Sequence, residues 1–179
     1  MNDREALRSM SFQKIRRVRN VVVCTALIMA TAQLWSAPGT APADAEVAET
    51  FVVALNAGKV QDMVSTSGVP FAFRNQEWES AKDGSGYVHG KSDDKLFTKK
   101  KLMASFLGTL VGKVKIESEK AAERPPSKES LLADNLKDAA ATWRGLNLFV
   151  FLRGSGDVEH VAIIGVDSAH HKVRGLYLN

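Results

Sequence analysis

The sequence contains a single cysteine, Cys24, in 179 residues, which excludes a disulfide-stapled scaffold and a cysteine-ligated zinc site. Its four histidines, His89, His160, His170 and His171, form no His-x-x-x-His motif, so spacing assembles no metal site. Adjacent His170 and His171 would point to opposite sides of an extended chain and are not expected to chelate one ion. Gly-x-Ser-x-Gly, phosphate-loop and dinucleotide fingerprints are all missing, and no cofactor is expected. Apolar runs are short. The longest, residues 21–35, is fifteen residues softened by Thr25, Thr31 and Gln33, against the ~20 that a spanning helix needs. A chain 45% hydrophobic and 25% charged is neither disordered nor collagen-like.

What is present begins with a charge asymmetry. The formal charge is +4, but Arg4, Arg8, Lys14, Arg16, Arg17 and Arg19 all precede the apolar run. An Ala- and Pro-rich stretch, SAPGTAPADA, follows it. A basic flank, a short apolar core and a small-residue exit are the three parts of a secretory signal peptide. Residues 1–45 are read as that segment, with release near Glu46 and Asp44 as the other candidate. Export to the periplasm or medium is expected, with a membrane anchor through residues 21–35 as the alternative.

Removing residues 1–45 removes six of the 24 basic and three of the 20 acidic residues, leaving 18 against 17. A near-neutral body has no broad field for phosphate backbones, so no nucleic-acid partner is expected.

Residues 46–179 are read as one α+β domain. Asp44 can cap a helix carrying Val47, Phe51, Val52 and Leu55 and stopped at Gly58; a short helix over residues 60–65 follows. Pro70 opens a strand that places Phe71 and Phe73 on one face and Ala72 and Arg74 on the other. After the Asp83–Gly86 turn, a short return strand is expected at residues 87–89. Thr98 is expected to cap a helix with Leu102, Met103, Phe106, Leu107, Leu110 and Val111 on its apolar stripe, ended by Gly112. Alternation over residues 114–119 predicts a half-exposed strand, and Leu131, Leu132, Leu136 and Ala139 a short helix. Three strand-like runs, 146–153, 158–167 and 172–178, close the chain as antiparallel hairpins joined at residues 154–157 and 168–171. Even-numbered loops predict Val166 opposite Val173, Ala162 opposite Tyr177, Phe151 opposite His160, and Asp167 opposite Lys172. That register gathers Phe149, Phe151, His160 and Tyr177 on one face.

The order helix, short helix, Pro-Phe strand, long helix and closing meander resembles the cone-shaped superfamily of nuclear transport factor 2. The segments carrying the likeness are AETFVVALNAGKVQDMV, GVPFAF and HVAIIGVDSAHHKVRGLYLN. The resemblance implies a curved antiparallel sheet wrapped around a long helix, with short N-terminal helices and a cystatin-like topology, often enclosing a pocket. Residues 121–142 look like an insertion into that plan. No catalytic set of the superfamily's enzymes is matched, so no functional residue is carried over, and fold alone does not fix function.

The candidate site is a mostly apolar pocket of Phe149, Phe151, His160 and Tyr177, with Arg74 and Trp78 nearby. Two functional readings follow: an exported non-catalytic domain binding a small apolar molecule or a protein partner, and an isomerase- or dehydratase-like enzyme with His160 as acid/base. A third reading is a structural module that forms a homodimer through a sheet face. No metal is expected, and membrane contact only with the N-terminal segment retained.

Overall fold

The computed structural model describes residues 42–84, 86–154 and 160–179. The signal-peptide reading of residues 1–41 and the 155–157 part of the predicted turn lie outside the described residues. In chain order the elements are α1 (Pro42–Asn56), α2 (Val60–Thr66), β1 (Ser67–Ser80), β2 (Tyr87–Phe97), α3 (Lys100–Leu110) and α4 (Lys128–Asp134). A 3-10 turn (Lys137–Ala139), α5 (Ala140–Trp143), β3 (Asn147–Gly154), β4 (His160–Asp167) and β5 (Lys172–Leu178) complete the chain. The strands form one open sheet in the order β2-β1-β5-β4-β3. Three of its junctions are antiparallel as expected, while β1 and β5 run parallel.

Two cores sandwich the sheet. On the first face, Phe51, Val52 and Leu55 of α1, Met63 of α2 and Met103, Leu107 and Leu110 of α3 pack on Phe71, Phe73, Phe149, Phe151, Ala162, Ile164, Leu176 and Leu178. These helices end where glycine permits a left-handed backbone, at Gly58 (φ 69°) and Gly112 (φ 72°). On the second face, Leu131, Leu136, Trp143 and Leu146 cover Ala72, Val150, Ile163 and Tyr177. The predicted insertion is therefore the cover of the second face. The Phe149–Phe151 face, where the sequence placed a pocket, is the one filled by α1, α2 and α3.

Trp143 shows why that cover fits. Its indole lies over Gly165 and Gly175, which pair across β4 and β5. A Cβ on Gly175 would come within 2.5 Å of the ring. Two strand glycines make a trough that a β-carbon would fill.

Several local expectations differ from the structure. The N-cap of α3 is Lys99, not Thr98, and no side chain closes that cap. Leu102 is exposed and Phe106 only half-buried, so the stripe is centred on Met103 and Leu107. The return strand extends from Tyr87 to Phe97, well past residue 89. Residues 114–119 alternate in burial as predicted but form no strand. Their polar groups are met piecemeal: Asn56 donates Nδ2 to the Ile116 carbonyl at 2.7 Å and accepts the Ile116 N–H at 3.0 Å, while the Glu117 and Ser118 N–H groups both donate to the Leu152 carbonyl. At Ile116 a side-chain amide supplies both halves of the pairing that a strand partner would have given.

α1 begins at Pro42, before Glu46, and Asp44 is fully buried. Among the described residues no helix is long and apolar enough to cross a membrane.

Candidate functional site

A one-residue shift in register decides the site. Val166 pairs with Val173 and Asp167 with Lys172, as predicted. Between Gly165 and Val166 the register slips, so Ile164 meets Leu176 and Ile163, not Ala162, meets Tyr177. Because side chains alternate along a strand, that slip turns the C-terminal half of β5 over. Tyr177 leaves the face of Phe149 and Phe151, and Leu176 and Leu178 take its place. Phe151 pairs with Ala162 rather than His160, which sits opposite Gly154.

The predicted apolar pocket is therefore not assembled. Phe149 and Phe151 are core residues beneath the helices. Arg74 and Tyr177 are buried on the second face, and His160 is exposed at the start of β4. Trp78 links the two remaining groups. It shares with His160 an open groove of about 340 Å³, lined also by Asn75, Gln76, Glu77, Arg153 and Asn179. Arg153, His160 and Asn179 line an adjoining depression with Lys115 and Gly154.

Backbone pairing holds the groove in place. Asn179 prolongs the β4–β5 ladder, donating its N–H to the Val161 carbonyl at 3.2 Å and accepting the Val161 N–H on Oδ1. Its main-chain oxygen accepts a 2.7 Å bond from Arg153 Nη1. Burial lowers the Arg153 pKa. The sequence reading missed Arg153, Asn179, Asn75 and Gln76. Their signal was position alone: Asn75 pairs with Leu178 beside Asn179, and Arg153 reaches the Asn179 main chain from the end of β3.

β1 carries Arg74, Gln76 and Trp78 at two-residue spacing. Arg74 donates Nη2 to Gln76 Oε1 at 3.1 Å. Gln76 Nε2 in turn donates to the carbonyls of Glu77, Gly90 and Lys91, at 3.0, 3.2 and 3.3 Å. Those carbonyls lie where the β1–β2 register shifts, between Gln76 and Trp78. The Trp78 ring packs on His89 with centroids 4.3 Å apart. Tyr177 Oη accepts a long 3.4 Å bond from Asn135. Burial raises the Tyr177 pKa, opposed by its neighbours Asn135, Trp78 and Arg74. The phenol is thus protonated at neutral pH.

A second polar cluster lies at the turn between β4 and β5. His170 Nδ1 meets Asp167 Oδ2 at 2.9 Å, and His171 Nδ1 meets Asp44 Oδ1 at 2.7 Å. Adjacent imidazoles therefore belong to different carboxylates, in a turn rather than an extended strand. Among the described residues no group of three or more metal-binding side chains converges.

The described residues form an α+β fold, one open five-stranded sheet with helices on both faces. No family model and no curated protein matches the chain. It is similar to a solved NTF2-like protein of unknown function from Cytophaga hutchinsonii, at 10% identity over 78% of this chain and 91% of that one, with a TM-score of 0.38. It is also similar to an NTF2-like protein from Anabaena variabilis, at 16% identity over 80% and 94% of the two chains, again with a TM-score of 0.38.

Proposed function

We propose that this protein is an exported, non-catalytic binding domain whose ligand occupies the groove between Trp78 and His160. The observation that carries the reading is the make-up of that groove: one indole face, an imidazole, a guanidinium and three amides around an open space. A flat apolar surface ringed by hydrogen-bonding groups is suited to orienting a small molecule. Export rests on the basic flank, apolar run and small-residue exit of the sequence.

Two features favour binding over catalysis. His160 has no carboxylate bonded to its ring among the described residues, whereas His170 and His171 each have one. A general base needs such an orienting partner to fix its tautomer and aim. His160 also lies away from Phe149, Phe151 and the Tyr177 hydroxyl, so the apolar surroundings of the enzymatic reading are missing.

The experiment is a thermal-shift screen of small polar and aromatic molecules against the chain and its His160→Ala and Arg153→Ala variants. A hit whose shift both substitutions abolish supports the groove. A hit insensitive to both overturns it. Mass spectrometry of the exported product tests the leader: an intact Met1 or Met10 start refutes its removal.

A further inference from the structure

Both leader junctions read from the sequence lie inside α1 (Pro42–Asn56), not ahead of it. A leader peptidase reads two small residues separated by one, as in Ala43-Asp44-Ala45. In an extended chain such residues point to the same side. In a helix of about 3.6 residues per turn they stand about 200° apart. That separation is visible here: Ala43 is exposed, whereas Ala45 is partly buried against the first core. The folded chain therefore does not present the pair to a single cleft.

The first turn is also held shut. Asp44 is fully buried, with His171 Nδ1 at 2.7 Å and Asn147 Nδ2 at 2.9 Å from its carboxylate. Ser168 hydrogen-bonds the same group. One turn further on, Ala48 and Phe51 are fully buried in the first core. Drawing residues 43–46 into a protease breaks the Asp44 bonds and strips Asn147 and His171 of that acceptor. Cleavage of such a segment proceeds through its opened form, so it falls with the population of that form.

The partners of Asp44 arrive late. Asn147 stands 103 positions after it and His171 127 positions after it. The N-terminal part of a chain emerges first, so the junction is extended and unguarded until most of the chain has followed.

We infer that leader removal is confined to the time before α1 docks, with the Asp44 clasp as the lock that afterwards protects the junction. This deepens the export reading and rests on it. A chain that folds before it meets the peptidase keeps its leader and with it the apolar run 21–35. One sequence thus yields a released and an anchored form, in proportions set by which event comes first.

The test is cell-free synthesis of the full chain with purified signal peptidase in mild detergent, present throughout or added once the chain has folded. Mass spectrometry reads the new N-terminus. Peptidase present throughout is expected to give a product starting at Asp44 or Glu46, and the same enzyme added late to cut at least about tenfold more slowly. His171→Ala and Asn147→Ala lie far from the junction in sequence and leave its recognition unchanged. Each is expected to speed late cleavage about tenfold without altering cleavage during synthesis. Equal early and late cleavage of the wild-type chain overturns the inference while the leader reading stands. So does late cleavage at a bond before Pro42, or folded variants as resistant as the wild type. Should a variant fail to fold, the wild-type comparison still decides. No cleavage in either arm removes the leader reading and this inference together.

Discussion

Asp44, fully buried in the first turn of α1, accepts a 2.7 Å bond from His171, a half-exposed residue 127 positions later in the β4–β5 turn. Asn147 at the start of β3 donates to the same carboxylate at 2.9 Å and to Ser168 Oγ at 2.7 Å. The start of β3 and the β4–β5 turn therefore meet on one side chain of the N-terminal helix. His171 holds a positive φ of 48°, uncommon for a residue with a β-carbon, and the bond to Asp44 fixes its ring there.

The position of this carboxylate separates the two candidate leader junctions. A chain starting at Asp44 keeps the bond; a chain starting at Glu46 loses it and leaves Asn147 and His171 short of an acceptor. The shorter chain is expected to be less stable by roughly 1–3 kcal/mol. Urea denaturation of the two chains and of Asp44→Ala checks this, and equal midpoints would show the bond to be dispensable.

Acid should expose the same tie and its neighbour. Burial pushes the Asp44 carboxyl up, but hydrogen bonds from Ser168, His171 and Asn147 outweigh it and the pKa is lowered. At Asp167 the Arg174 guanidinium, 2.8 Å away, leads a group that holds the carboxyl at about 2 against an ordinary 3.8. A carboxylate depressed in the folded state binds its proton more readily when unfolded. The stability it adds is complete above about pH 4 and lost as pH falls toward about 2. Asp167→Asn is expected to flatten the fall in unfolding free energy between pH 5 and pH 2. An unchanged slope would assign the acid response elsewhere.

Gly175→Ala places a methyl group 2.5 Å from the Trp143 ring, which is fully buried and has little room to retreat. Overpacking of this kind costs roughly 1–3 kcal/mol. In Trp143→Leu the same glycine substitution should cost much less. A double-mutant cycle by thermal melting reads the coupling, and additive losses would place the indole elsewhere.

Leu107 and Phe106 are neighbours on α3 with different surroundings. Leu107 is fully buried, and Leu107→Ala should cost roughly 2–5 kcal/mol. Phe106 is half-buried, sharing edge and stacked contacts with Phe73 and Phe97 at 4.7 Å, so Phe106→Ala should cost less than Leu107→Ala. Denaturant melts showing the reverse order would mean that α3 is rotated from this placement.

The site was partly legible. The alternation at residues 71–74 put Arg74 opposite the Phe71–Phe73 face, and Trp78 follows it in the same row. The first two pairs of the last hairpin, Val166 with Val173 and Asp167 with Lys172, were equally readable from turn length. Tyr177 was not. Its face depends on a bulge at Gly165–Val166, and a single extra residue reverses every side chain beyond it.

Sequence by itself determined the elements that rest on local periodicity and on glycine: α1 ended at Gly58, α3 ended at Gly112, the Phe71–Phe73 strand and the closing meander. Apolar spacing and left-handed turns are encoded within a few residues, so they survive without knowledge of neighbours. Tertiary structure alone decided that β1 runs parallel to β5, that residues 128–146 cover the second face, and that Asp44 belongs inside the fold. Each depends on a partner distant in the chain: Gly175 for Trp143, Asn56 for Ile116, His171 for Asp44. The value of a buried bond or a filled trough exists only when both partners are in place, and no local pattern records it.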